Sequence, residues 1–175
     1  MASSNAKPEI NSSSGLGINP PDESDLRQFF GSNESYYLAE YHKIVANAGT
    51  SRALFSWNWA AFLLSIPWCF YRRMATTGAC LMFIPAVLWL VSPKVSIVGT
   101  PIVFAFLESL ANYVYVTRSV GKLESIYGDT LTQMQREDAI SRRGGTSFSA
   151  YAVSIFIIAL AWGFVPRGEG TLRSS

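Results

Sequence analysis

Apolar residues gather into four long runs after residue 53, and polar residues hold the stretches before and between them. The first run, 54–71, would measure about 27 Å as a helix at 1.5 Å per residue, barely the depth of a ~30 Å hydrocarbon core. Trp57 and Trp68 lie eleven residues apart, roughly 16 Å along an axis, too close to serve opposite headgroup layers. Pro67 removes a backbone donor and disfavours helix at Ile66, so a break is expected there. The run therefore reads as a re-entrant or interfacial segment. The runs 75–92, 95–116 and 148–165 read as transmembrane helices, with Pro85 inside the first of them. The expected fold is an all-α membrane protein: three transmembrane helices, one re-entrant or interfacial helix, and amphipathic soluble helices.

Residues 1–24 are rich in Ser, Asn, Pro and Gly, bury too little to offset their ordering entropy, and are expected to be a disordered polar tail. They hold no apolar stretch of the kind a cleaved signal peptide needs. In 25–53, Ser32 or Asn33 is placed to cap a helix running to about Asn47 and stopped by Gly49. Its Tyr37, Leu38, Tyr41, Ile44 and Val45 share one face. That face suits either a membrane interface or the protein's own soluble part. Between the second and third transmembrane runs, 117–147 carries Val120, Leu123, Tyr127, Leu131 and Met134 at helical spacing and reads as a cytoplasmic amphipathic helix and loop. A short tail, 167–175, follows the membrane domain of 54–166.

The run Trp57-Asn58-Trp59-Ala60-Ala61-Phe62, followed by Trp68-x-x-Tyr71-Arg72-Arg73-Met74, resembles the signature of a bacterial family of small integral membrane proteins catalogued as a domain of unknown function. Phe30-Gly31 and Tyr36-Tyr37-Leu38 fit that family's lead-in, and Arg73 stands where its members commonly have lysine. The resemblance covers roughly 29–147 and implies a bacterial inner-membrane location with no known activity.

Charge orients the chain. With 54–71 re-entrant, nine basic residues (Lys43, Arg52, Arg72, Arg73, Arg118, Lys122, Arg136, Arg142, Arg143) fall on one side and three (Lys94, Arg167, Arg173) on the other. The positive-inside rule then makes the first side cytoplasmic. A net charge of +2 gives no reason to expect a nucleic-acid partner. Cys69 and Cys80 lie within apolar runs and read as reduced, buried thiols. His42 is the single histidine, so neither a zinc nor a haem site is expected, and no cofactor is called for.

Candidate functional residues are few. Glu108 is the one ionisable side chain well inside a transmembrane run, and Asn112 stands one turn on. These two, with Asn58 as a further partner, form a candidate intramembrane polar site. It reads either as helix-joining hydrogen bonds or as a relay for protons or cations. Trp57, Trp59, Trp68, Tyr71, Arg72 and Arg73 are expected as interface anchors. Arg142 and Arg143 beside the last run mark topology or contact lipid headgroups. No nucleophile–base–acid set or phosphate loop is present. The leading expectation is a non-enzymatic inner-membrane protein working through protein or lipid contacts. The alternatives are a small transporter or channel subunit using Glu108 and Asn112, and an accessory subunit of a larger membrane complex.

Overall fold

A computed structural model describes residues 21–163; residues 1–20 of the expected tail 1–24, and the expected tail 167–175, lie outside the described residues. Among these residues the chain is all-helical, without strands. Asp22 opens α1 (Glu23–Phe30) by accepting the Ser24 backbone N–H at 3.1 Å, so the expected tail ends before Asp22. This helix is absent from the sequence reading, yet it buries Leu26, Phe29 and Phe30. Gly31 (φ 59°) and Asn33 (φ 68°) then turn the chain into α2 (Glu34–Ala46). Asn33 adopts the left-handed conformation and its side chain makes no cap, contrary to the expected role.

The 54–71 run is two short helices. Asn58 caps α3 (Trp59–Leu64) through its side-chain oxygen on the Ala61 N–H, 3.0 Å. Ser65, at φ 42°, ends it and begins α4 (Ile66–Tyr71). The break thus falls one residue ahead of the expected site. Pro67 is accommodated in the first turn of α4, where its missing N–H costs nothing.

Next come α5 (Ala75–Val91) and α6 (Pro93–Glu108), joined at Ser92 into an antiparallel hairpin. Pro85 lies within α5 without breaking it, and its carbonyl accepts the Ser96 hydroxyl at 3.1 Å, clasping the two helices. The 95–116 run is not one helix. It stops at Glu108, and α7 (Ala111–Gly128) departs at 51°. The bend has a packing cause: Ala111, Asn112, Tyr115 and Val116 are buried in the helical core and cannot continue the hairpin.

That core is built around α7, against which α1, α2, α6 and α8 (Gln133–Arg143) pack. Leu123, Ile126 and Ile140 are wholly buried there with Phe30, each burial worth roughly 1.5–3 kcal/mol. Val120, Leu123 and Tyr127 lie on α7, but Leu131 is in the connection and Met134 is 81% exposed, so the expected continuous stripe ends at Gly128. Thr132 and Gln135 form a capping box at the start of α8. Finally α9 (Phe148–Gly163) runs outward beside α4. Its base is tied down by Gly145 N–H to Phe29 O (2.7 Å) and Ser147 N–H to Tyr71 O (2.8 Å).

Of the expected amphipathic helix face on α2, Tyr37 and Leu38 are buried against the core, while Val45 is 49% exposed. The core, formed with α1 and α7, claims that face. Among the described residues, one stretch, Gln133–Leu160, is long and apolar enough to cross a membrane. The bent pair α6–α7 makes a second if counted as one.

Tyr127 joins α7 to α1 by donating to Asp25 at 2.7 Å. Burial, together with the Asp25 carboxylate, pushes its hydroxyl up to about 12 from an ordinary 10. A phenol held protonated in the folded state stabilises fully below the unfolded value, and that contribution is lost as pH rises through the folded one. Alkaline unfolding between about pH 10 and 12 should therefore be blunted in Tyr127→Phe, measured by circular dichroism across that window. The same variant should lose about 1 kcal/mol at neutral pH with the hydrogen bond.

Candidate functional site

Two polar clusters are buried where α3 and α4 meet α7. In the first, Asn58 donates its Nδ2 to Asn112 Oδ1 at 2.7 Å. Asn112 Nδ2 in turn donates to the Tyr36 hydroxyl at 2.7 Å and to Ser56 Oγ at 3.0 Å. Asn112 is wholly buried and Asn58 is 5% exposed. With Oδ1 of Asn58 spent on capping α3, the cluster fixes α2, the 54–58 segment, α3 and α7 relative to one another. Such a satisfied network positions helices; it holds no titratable group other than the Tyr36 phenol.

The second cluster centres on Arg72. The sequence reading places it at an interface, whereas it is 3% exposed inside the helical core. Its guanidinium lies over the rings of Tyr37 (4.3 Å), Tyr115 (5.2 Å) and Tyr71 (5.7 Å). Nη1 donates to the carbonyls of Phe30 and Ser32, and Nη2 to that of Ser32, all at 3.2 Å. Those carbonyls belong to the turn after α1, which has no helical partner to offer them. Arg72 forms no ion pair among the described residues; carbonyl dipoles and ring faces stand in for a carboxylate. Trp68 is corrected in the same way. At 2% exposed it stacks edge-on against Tyr115 (6.1 Å) and is a core residue.

Glu108 does not join Asn112. The chain turns at Ser109 and Leu110 between them, so the i, i+4 alignment expected of a continuous helix never forms. Glu108 instead lines a cavity of about 100 Å³ with Trp68, Cys69, Met74, Thr77 and Leu81. It is 3% exposed, its Oε1 has no hydrogen-bond partner, and no cation pairs with it among the described residues. Glu108→Gln conserves volume and breaks no ion pair. Its unfolding free energy in detergent should move by less than about 1.5 kcal/mol, and a larger loss would mean that a cation does face the carboxylate.

The other expected anchors divide by position. Trp57 and Trp59 are 43% and 67% exposed and form an edge-to-face group with Phe62 on α3. Tyr71 is half-buried against Tyr151 of α9. Arg73 (φ 55°) is exposed and donates to the Arg142 carbonyl. Arg142 is paired with Asp138 at 2.9 Å, and Arg143 donates to Ser125 Oγ at 3.2 Å. Cys69 is buried as expected, but Cys80, expected to be buried, is exposed. Among the described residues, no group of three or more His, Cys, Asp or Glu could hold a metal ion.

No family model, curated protein or solved structure matches this chain. Chemistry and geometry alone therefore carry the functional reading.

Proposed function

We propose that this chain is a non-enzymatic membrane protein of the bacterial inner membrane: a packed cytoplasmic head set on three apolar helices, acting through lipid and protein contacts. The observation that carries this reading is the contrast between the two halves. The head buries most of its large apolar side chains, among them Leu26, Phe29, Phe30, Leu123, Ile126 and Ile140. On α5, α6 and α9 they point outward: Leu90 is 86% exposed, Val91 71%, Ile97 69%, Phe83 68% and Phe156 63%. In water this would be a patch far beyond the few hundred Å² that soluble monomers tolerate. Helices apolar on every side are either buried in protein or immersed in lipid.

The lengths fit a thin or locally thinned bilayer. The 17 residues of α5 and 16 of α6 reach about 25 Å, and Lys94 at the hairpin tip can extend its ammonium to the far headgroups. The α8 part of Gln133–Leu160 carries Arg136, Glu137, Asp138, Arg142 and Arg143, so the membrane portion of that stretch is α9. Likewise α7, with Arg118, Lys122 and Glu124, belongs to the head. Trp57, Trp59 and Phe62 then lie at the headgroup layer. A transporter reading draws less support, since Glu108 and Asn112 serve separate surroundings and no charged partner meets Glu108 among the described residues.

The test is topology in native membranes, with Cys69 and Cys80 replaced by serine. Thr130→Cys should react with an impermeant maleimide only from the cytoplasmic side, and Lys94→Cys only from the opposite side. The protein should stay with the membrane through alkaline carbonate. Release by carbonate, or both cysteines labelling from one side, would refute the arrangement.

A further inference from the structure

Where the head meets the hairpin, three cations lie within reach of one another's charge. Arg118 and Lys122 stand one turn apart on α7, and Arg73 follows α4. Lys122 Nζ donates to the Arg73 backbone carbonyl at 3.3 Å, Arg118 donates to Thr77 Oγ1 in the first turn of α5, and the Arg73 guanidinium itself donates to the Arg142 carbonyl. None of the three has an ion pair among the described residues; the acidic side chains that do pair lie beside Arg27, Lys43 and Arg142. We infer that Arg73, Arg118 and Lys122 form a seat for the phosphate of an anionic phospholipid, whose acyl chains would lie along α5. This rests on the membrane reading above.

Three observations favour that occupant. Like charges held this close repel, and partial burial followed by the charges of Arg118 and Arg73 lowers the Lys122 ammonium. An arrangement that costs electrostatic free energy in the empty state is relieved by a bound anion. Arg118 and Arg73 are exposed and Lys122 half-buried, so their donors are reachable. Arg118 also touches Thr77, at the point where α5 turns apolar and presents Ala79, Cys80 and Phe83 outward. A free phosphate would use only the charges. A phospholipid uses the charges and the adjoining apolar surface together, which is why the lipid is preferred.

The experiment uses the full chain, purified in mild detergent and presented with equal phosphatidylglycerol and phosphatidylcholine, bound lipid being counted by native mass spectrometry. Wild type should retain phosphatidylglycerol preferentially. Arg118→Gln with Lys122→Gln should weaken that retention by roughly 25-fold, given about a five-fold effect for each basic residue near an anionic surface. Arg27→Gln with Arg136→Gln removes the same charge from α1 and α8 and should leave retention intact. Equal loss in both doubles, or no phosphatidylglycerol preference in wild type, would overturn the seat. Displacement of the lipid by inorganic phosphate, beyond that caused by chloride at matched ionic strength, would assign the cluster to a soluble anion and overturn it too. Carbonate extraction of wild type is read separately: release there refutes the membrane reading itself, whereas wild type that stays in the membrane yet shows no phosphatidylglycerol preference refutes only the seat.

Discussion

Arg72→Ala should be the most damaging single change in the head, costing about 4 kcal/mol or more. A desolvated cation over an aromatic face contributes roughly 2 kcal/mol, and hydrogen bonds to a charged group about 1.5–3 kcal/mol. Truncation also opens a void between Tyr37 and Tyr115 and orphans the carbonyls of Phe30 and Ser32. Arg72→Met fills the void but offers those carbonyls no donor, so it should recover part of the loss only. Arg72→Lys keeps the charge yet cannot stack flat or fork between two carbonyls, and should fall between wild type and alanine. Urea unfolding in detergent, followed through the fluorescence of buried Trp68, ranks the three. An alanine variant as stable as wild type would refute the cage as a source of stability.

Asn112→Leu comes next, at about 3 kcal/mol. Leucine nearly matches the volume but leaves the Asn58 amide, the Tyr36 hydroxyl and Ser56 Oγ facing an apolar side chain. The Asn58 amide, 5% exposed, costs about 1–3 kcal/mol when stranded away from water, and the part-exposed Tyr36 and Ser56 hydroxyls add a smaller loss. Asn58→Ala removes the cap on α3 as well, an extra ~1 kcal/mol. Because the two asparagines bond directly, their alanine changes should be less than additive, with a coupling of at least about 0.5 kcal/mol in a double-mutant cycle. Strict additivity would show that the 2.7 Å contact contributes nothing of its own.

The apolar helices are legible because long, nearly unbroken apolar runs leave few alternatives, and 75–92 differs from α5 by a single residue. The end of the next run is harder. Glu108, Ser109 and Asn112 interrupt it with polar groups, a pattern that fits a boundary and equally fits a polar face within one helix. Arg72 is not legible from local pattern. A basic pair after an apolar run is the ordinary mark of an interface, and the tyrosines that enclose Arg72 include two on α2 and α7, far along the chain. With Asp22 ahead of Glu23 and Asp25, and Leu26, Phe29 and Phe30 at helical spacing, α1 is visible in the residues themselves. The polar, proline-rich stretch preceding it draws the expected tail too far.

The close approach of the Gly145 N–H to the Phe29 carbonyl, 2.7 Å, has a bearing on biogenesis. It ties the first helix of the head to the base of the last apolar helix, and the residues between them include the whole hairpin. While a ribosome is still making α5 and α6, α1 and α2 have no α7 to pack against. On the proposed membrane reading, their aromatic side chains wait outside the bilayer while the hairpin inserts. Only after α7 has emerged can the head close around Arg72. Insertion thus precedes folding, and the interval between them is when a nascent chain would need shelter from a chaperone.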